Sequence, residues 1–533
     1  MRWIRSVGGV VVSCLLCGAA CSVTAGNASA RASGPLASTV SGQVRGLVSG
    51  QTDEFLGIPY AAPPVGQLRW QPPQPAAPWT GVRATTKLPP RCPQLKNGNG
   101  PKSVDENCLY LSVYRPHGTT ARDRLPVLFW IHGGGLTTGS GDQHNGSLFA
   151  DTDHIEVVSI NYRLGVLGFF DLPGLPGGSA ASGNYGLLDQ EAALDWTHSN
   201  IAHFGGNPKR ITIAGESAGG YSVCALLASP RVRGMFSRAI MESGSCETTP
   251  PAAARRAAVA FARAAGCRRP ATMVRCMQST SVRALLRNRR YPGGDLPIAG
   301  GEALPVAPAT QIARGDFAHV PVLIGTNHNE GRTFTEGDAK DPESTYVKMI
   351  RAEYGHEASK VLGQYPWSSF PAPYQTAYAL GAVWTDSGYV DGIGGCAEQQ
   401  LAGELARRTP TYFYEFNDLT APGLNRKVPG YQWGAGHAME LAYMWPSFDN
   451  GYSLYDLLTP AQLQLSGWMV RYWGAFVRAG SPAVAGQAAW PSLGSSRKFM
   501  SLQEGTASAA EPIAQFGAEH NCSFWDALPG EPR

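Results

Sequence analysis

Ile211-Thr212-Ile213-Ala214-Gly215-Glu216-Ser217-Ala218-Gly219 is the stretch on which the fold turns. A β-rich run enters a Gly-x-Ser-x-Gly string, and residues 218–228 continue as a helix-like segment. The string alone carries little weight in a chain with 64 glycines, where chance matches are common. Its setting carries more. A strand, a tight turn and a helix in succession hold the serine on a strained bend, where larger flanking side chains would clash. The hydroxyl then stands clear above the sheet, and the amides at the helix start face developing negative charge.

Similar units recur along the chain. Residues 126–131, 155–160 and 320–324 are short apolar runs without polar alternation, each followed by glycine or by a short polar loop, as strands buried on both faces require. Helical stretches such as residues 187–197, with Leu188, Ala192 and Trp196 at i, i+4 and i+8, lie between them. Alternating strands and helices predict a mostly parallel sheet with ligands bound beyond its strand carboxyl ends. His132-Gly133-Gly134-Gly135 falls at such an end, after 126–131. Three glycines let main-chain amides approach a substrate oxygen, and with the amide of Ala218 they would form an oxyanion hole. His132 is expected to be structural, because in this order of elements the base comes last.

A serine nucleophile needs a base and an orienting acid, in the order Ser, acid, His. Among eleven histidines, His437 sits late, in Gly434-Ala435-Gly436-His437. His198 and His203 precede the serine, His319 and His328 flank the strand that precedes the acid candidate, and His520 lies near Cys522. Glu330 follows the 320–324 run by a short loop; Asp386 and Asp418 are its rivals, each also readable as a cap or turn residue.

The remaining composition narrows the field. The 533 residues are 43% hydrophobic and 16% charged with a net charge of +4, which demands no polyanionic partner. The basic stretch Arg268, Arg275, Arg283, Arg287, Arg289 and Arg290 lacks interleaved aromatics to stack bases, so it reads as a solvated face and no nucleic acid is expected. No Walker-type glycine loop and no HExxH string occur, so neither a nucleotide cofactor nor a metal is expected. Residues 1–30 read as an export signal: Arg2 and Arg5, an apolar run to Ala20, and Ala28-Ser29-Ala30 for cleavage. Gly18-Ala19-Ala20-Cys21 partly resembles a lipoprotein box, so membrane association would follow only from lipidation at Cys21. A secreted product is favoured. Residues 31–39 read as a flexible lead-in, and 40–526 as one catalytic domain. Export places eight cysteines outside the signal in an oxidising compartment, which suggests disulfides.

At this point the residues resemble a known family. Gly57-Ile58-Pro59-Tyr60-Ala61 with Leu68-Arg69, the segment from Glu106 to Val113, and Asn161-Tyr162-Arg163-Leu164-Gly165 resemble three signatures of the type-B carboxylesterase/lipase family, which includes the cholinesterases. Residues 184–190 and 204–208 are similar too, and the matches run in order from about residue 40 to Trp525. The resemblance implies an α/β-hydrolase fold with a small N-terminal β region and helical insertions over the active site. It implies Ser217, Glu330 and His437 as the triad and Gly134, Gly135 and Ala218 as oxyanion donors. It also implies disulfides Cys92–Cys108, Cys267–Cys276 and Cys396–Cys522 and leaves Cys224 and Cys246 unassigned; from its place in the elbow helix Cys224 reads as a buried free thiol. Asn107 departs from the aspartate usual at its position.

The implied activity is hydrolysis of small to medium carboxylic esters through an acyl-enzyme, with a small-molecule ester as the partner and no obligate protein partner. A lipase or an acyltransferase using the same triad is the alternative, and a non-catalytic binding member of the fold the remote one. The segment 93–107 is polar and short for a lipase flap, and it lacks a tryptophan to hold a quaternary ammonium. Acyl groups of roughly two to six carbons are therefore expected to fit best. The aromatic region 354–389 is read either as pocket wall or as core.

Overall fold

The structure, a computed structural model, describes residues 34–96, 99–288, 296–425, 427–448 and 453–528. The segment 1–30 read as an export signal, with Cys21, lies outside the described residues, as do Arg289 and Arg290. The strands among those described are β1 (Leu36–Thr39), β2 (Gly42–Arg45), β3 (Leu47–Ser49), β4 (Thr52–Pro59), β5 (Val82–Ala84), β6 (Tyr110–Pro116) and β7 (Leu125–Ile131). They continue with β8 (Glu156–Ile160), β9 (Gly206–Glu216), β10 (Arg238–Glu242), β11 (Val322–Asn327), β12 (Thr411–Phe416), β13 (Lys498–Leu502) and β14 (Ala509–Pro512).

Eleven of these strands form one sheet in the order β14-β13-β12-β11-β10-β9-β7-β8-β6-β4-β3. The centre, from β13 to β8, is parallel, and both margins are antiparallel. The parallel strands β8, β10 and β11 are buried almost end to end, which is why their sequences show no alternation. Strand β11 starts two residues later than the apolar run predicts, after Pro321, which has no amide to give to the ladder. The expected helix is present as Tyr185–Asn200 and buries Leu188 and Trp196, together with Asp189 and Gln190. The chain is an α/β-hydrolase.

A separate three-stranded sheet, β1-β2-β5, makes the small N-terminal region. It corrects the expectation of a flexible lead-in for the last four residues of 31–39. Residues 36–39 are strand β1, held in register with β2, with the Thr39 hydroxyl donating to Gly42 O at 2.8 Å to close the turn.

The recurring motifs prove to bind one another. Arg163 donates twice to the buried carboxylate of Asp189, at 2.7 Å on each oxygen, a fork that pairs the two charges. Gln190 donates to Ser222 at 2.9 Å on the helix after Ser217, and Arg69 pairs with Glu106. Asn107, at the unusual position, accepts from the Tyr110 hydroxyl at 2.9 Å.

Four disulfides close: Cys92–Cys108, Cys224–Cys246, Cys267–Cys276 and Cys396–Cys522. The second corrects the reading of Cys224 as a free thiol. The loop after β10 lies directly on the elbow helix, where a side chain on Gly220 would meet Gly244 Cα at 2.8 Å. Two facing glycines permit that approach and bring Cys246 to Cys224. No helix among the described residues is long and apolar enough to cross a membrane.

Candidate active site

Strand β7 is flanked by β8 on one side and β9 on the other, so consecutive connections leave in opposite directions and open a crevice at the strand ends. Both glycine motifs meet there. Ile131, the last residue of β7, is opposite Gly215, two residues before Ser217. The packing leaves no room for side chains: a Cβ on Gly219 would lie 2.1 Å from Ile131 O, and one on Gly133 would lie 3.1 Å from Ser217 Cβ. Ser217 itself adopts φ 57°, ψ −122°, strained for a residue with a side chain, immediately before the helix Ala218–Ala228. Its amide donates to Glu242 O at 2.8 Å, which fastens the bend to β10.

His437 reaches the serine from a loop tied to the one that carries Glu330. Asn329 N donates to Ala435 O at 2.8 Å, Asn327 Nδ2 to Gly436 O at 2.8 Å, and the Thr333 hydroxyl to His437 O at 3.1 Å. His437 Nε2 then lies 2.9 Å from Ser217 Oγ, and Nδ1 lies 2.6 Å from Glu330 Oε2. The other oxygen of Glu330 accepts from the Ser243 hydroxyl at 2.6 Å, the Asn327 amide at 2.7 Å and the Thr326 hydroxyl at 3.1 Å. Three donors on one oxygen fix the rotamer of this buried carboxylate.

The rival residues are engaged elsewhere. Asp386 lies within the helix Gln375–Ser387, not at a cap, and accepts from Tyr365, His520 and Asn521. Asp418 closes an Asx turn with Thr420 and accepts from Tyr443 and Gln462. His132 Nδ1 donates to Gly133 O at 2.8 Å, and burial pushes its pKa down to about 4, which fits the structural role expected of it. Within the aromatic region 354–389, Tyr354, Tyr365 and Leu380 join Trp525 in one buried cluster, Tyr389 is exposed, and no residue of 354–389 lines the cavity over Ser217.

The glycine loop presents its amides by tying back its carbonyls. Gly133 O accepts from His132, and Gly134 O accepts from the amides of Thr137 at 3.1 Å and Thr138 at 3.0 Å. In a trans peptide the following N–H points the opposite way, so the amides of Gly134 and Gly135 are turned from those bonds. Positive φ at both positions, 104° and 58°, favours glycine. Ala218 begins the helix, where first-turn amides have no intrahelical acceptor.

Three features escaped sequence reading. Glu216, next to the serine, places Oε1 3.2 Å from His437 Nε2. Its burial raises its carboxyl to about 7, against the opposing pull of His437. Burial pushes His437 down, but the charges of Glu216 and Glu330 outweigh that and hold it above its ordinary value. The second feature is the pocket: Phe334, whose ring is 4.9 Å from that of His437, joins Val390, Ile393, Leu424 and Phe448 around a cavity of about 350 Å³ over Ser217. The third is a buried ion network. His520 Nδ1 is 2.8 Å from Asp386 Oδ1 and Nε2 is 2.7 Å from Glu415 Oε1, which also meets His328 Nδ1 at 2.8 Å. Ligand atoms of His328, Glu415 and His520 lie within 4.8 Å of one another, near enough for one metal ion. Both ring nitrogens of His520 face carboxylates, a setting that an imidazolium with two N–H donors matches. Burial lowers the His520 pKa, but its two acidic partners outweigh this and raise it to about 10.

Known proteins share this chain's sequence over most of its length. The sequence model of the carboxylesterase family matches residues 33–525. Cocaine esterase of Homo sapiens is 35% identical over 507 residues, 89% of this chain and 87% of that protein. Acylcarnitine hydrolase of Mus musculus is 34% identical, covering 84% and 82%, and liver carboxylesterase of Sus scrofa is 33% identical, covering 89% and 88%.

Proposed function

The chain belongs to the carboxylesterase family, and on that premise we propose that it hydrolyses small to medium carboxylic esters through an acyl-enzyme on Ser217. The observation that carries this reading is the unbroken line from Ser217 Oγ through the His437 ring to Glu330, set on a strained turn at the sheet's switch point. His437 Nε2 takes the proton as Ser217 Oγ attacks the ester carbonyl. The amides of Gly134, Gly135 and Ala218 receive the oxygen of the tetrahedral intermediate, where each donor is worth about 10²–10³ in rate. His437 returns the proton to the leaving alcohol. Water, activated by the same imidazole, then frees the acid and restores the serine hydroxyl. Glu330 holds the ring in the required tautomer and stabilises its cation.

The export signal and four disulfides support secretion to an oxidising compartment. The test is a panel of soluble p-nitrophenyl esters with purified protein and its Ser217→Ala variant. Turnover of acetate and butyrate esters that disappears with the hydroxyl supports the reading; turnover that survives overturns it.

A further inference from the structure

Thr137 and Thr138 line two cavities at once. On one side is the cavity over Ser217. On the other is a groove of about 360 Å³ walled by Leu95, Leu164, Val166, Phe261, Leu285 and Leu286. These side chains come from four separate parts of the chain: the Cys92–Cys108 loop, the segment after Arg163, the helix Pro251–Ala264 and the helix Val282–Arg287. Leu164, Phe261 and Leu285 are buried, whereas Leu95 and Leu286 are half-buried and leave apolar surface facing the groove.

The ridge between the cavities is held in place. Gln94 Nε2 donates to Gly139 O at 2.9 Å, and Gly139 N donates back to Gln94 Oε1 at 3.0 Å, which clasps the disulfide loop to the glycine loop. Asn99 Nδ2 adds a bond to the Thr138 hydroxyl at 3.2 Å. An ester whose carbonyl rests on the Gly134 and Gly135 amides would lie on one side of Thr137 and Thr138, and the apolar groove lies on the other side of the same two residues. Covering that surface is favourable because it takes apolar area out of water, and a substrate seated at Ser217 has its hydrocarbon tail on the neighbouring side of the shared wall.

We infer that this groove is a second substrate subsite, which takes the distal hydrocarbon of an ester longer than the triad cavity alone accepts. The inference rests on the proposed esterase reading and extends the expected two to six carbons to chains of roughly eight to twelve. The hydrocarbon belongs to either the acyl or the alcohol half, and the two halves are separable by experiment.

The experiment compares kcat/KM for p-nitrophenyl esters from acetate to dodecanoate, and for acetates of alcohols of the same lengths, in the unaltered protein and in Leu286→Glu and Leu286→Ala. The ratio of decanoate to butyrate, or of decyl to butyl acetate, should fall at least about tenfold in Leu286→Glu and less in Leu286→Ala. Butyrate turnover should stay within about twofold, which also shows that the variants fold. The series that responds identifies the half that enters the groove. Calorimetric titration of Ser217→Ala with p-nitrophenyl decanoate, with and without Leu286→Glu, reads the same subsite without turnover. A weaker titration in the double variant supports the groove even if the serine assignment were wrong. Length ratios and titrations unchanged by both substitutions overturn it while leaving the esterase reading intact.

Discussion

Glu216 Oε1 lies 3.2 Å from His437 Nε2, the nitrogen that also faces Ser217 Oγ. The base therefore sits between two carboxylates, Glu216 on the serine side and Glu330 on the other, and both hold its pKa above the ordinary value of 6.5. Only the neutral imidazole accepts the serine proton, so the acid limb of kcat/KM should fall above pH 6.5. Glu216→Gln removes one charge and keeps the shape. It should move that limb to lower pH, as read from a pH profile on a soluble ester; a limb that stays in place or rises contradicts the electrostatic role.

Glu330→Gln should lower kcat by several orders of magnitude, because the amide cannot stabilise the imidazolium and favours the wrong tautomer. Asp386→Asn touches Tyr365, His520 and Asn521 instead, so it should lower the melting temperature and leave kcat near its original value. Side-by-side steady-state kinetics and thermal unfolding decide this, and a reversal of the two effects would make Asp386 the acid.

These two residues also mark how far the sequence could be read. The elbow was legible because a strand, a glycine-flanked serine and a helix are local and contiguous. Glu330 and Asp386 were not separable from position alone, since each lies far from His437 in the chain and only the ties from Asn327 and Asn329 to the 435–437 loop choose between them. The free-thiol reading of Cys224 failed for a similar reason: its partner is set by Gly220 and Gly244 facing each other, a contact with no periodic signature. The pocket wall, with Leu424 and Phe448, comes from long loops whose residues carry no pattern.

The Cys224–Cys246 bridge joins residues 22 apart and pins the loop after β10 to the elbow helix. Replacing both cysteines with alanine should cost about 3 kcal/mol through the freed loop entropy of the unfolded chain. Denaturant unfolding measures it. A loss near zero would indicate that the packed glycines alone hold the loop.

His520 bridges Asp386 and Glu415 as a buried cation. Its folded pKa of about 10 exceeds the ordinary 6.5, so its contribution to stability is complete below pH 6.5 and disappears as pH rises through about 10. Burial opposes the charge on Glu415, yet bonds from His328 and His520 lower it to about 2, so the same network fails on the acid side as pH falls through that value. His520→Gln should be less stable than the parent at pH 7 and the gap should close towards pH 10. Equilibrium unfolding at several pH values gives the comparison, and a gap that widens with pH would refute the assignment.

The most direct measurement is reaction with a serine-directed p-nitrophenyl phosphonate, followed by intact mass and peptide mapping. One adduct should form per chain, on Ser217, with loss of ester turnover in step, and Ser217→Ala should take up none while keeping the parent's circular dichroism. An adduct mapped to any other residue, or full turnover in the labelled or alanine protein, would contradict catalysis by Ser217.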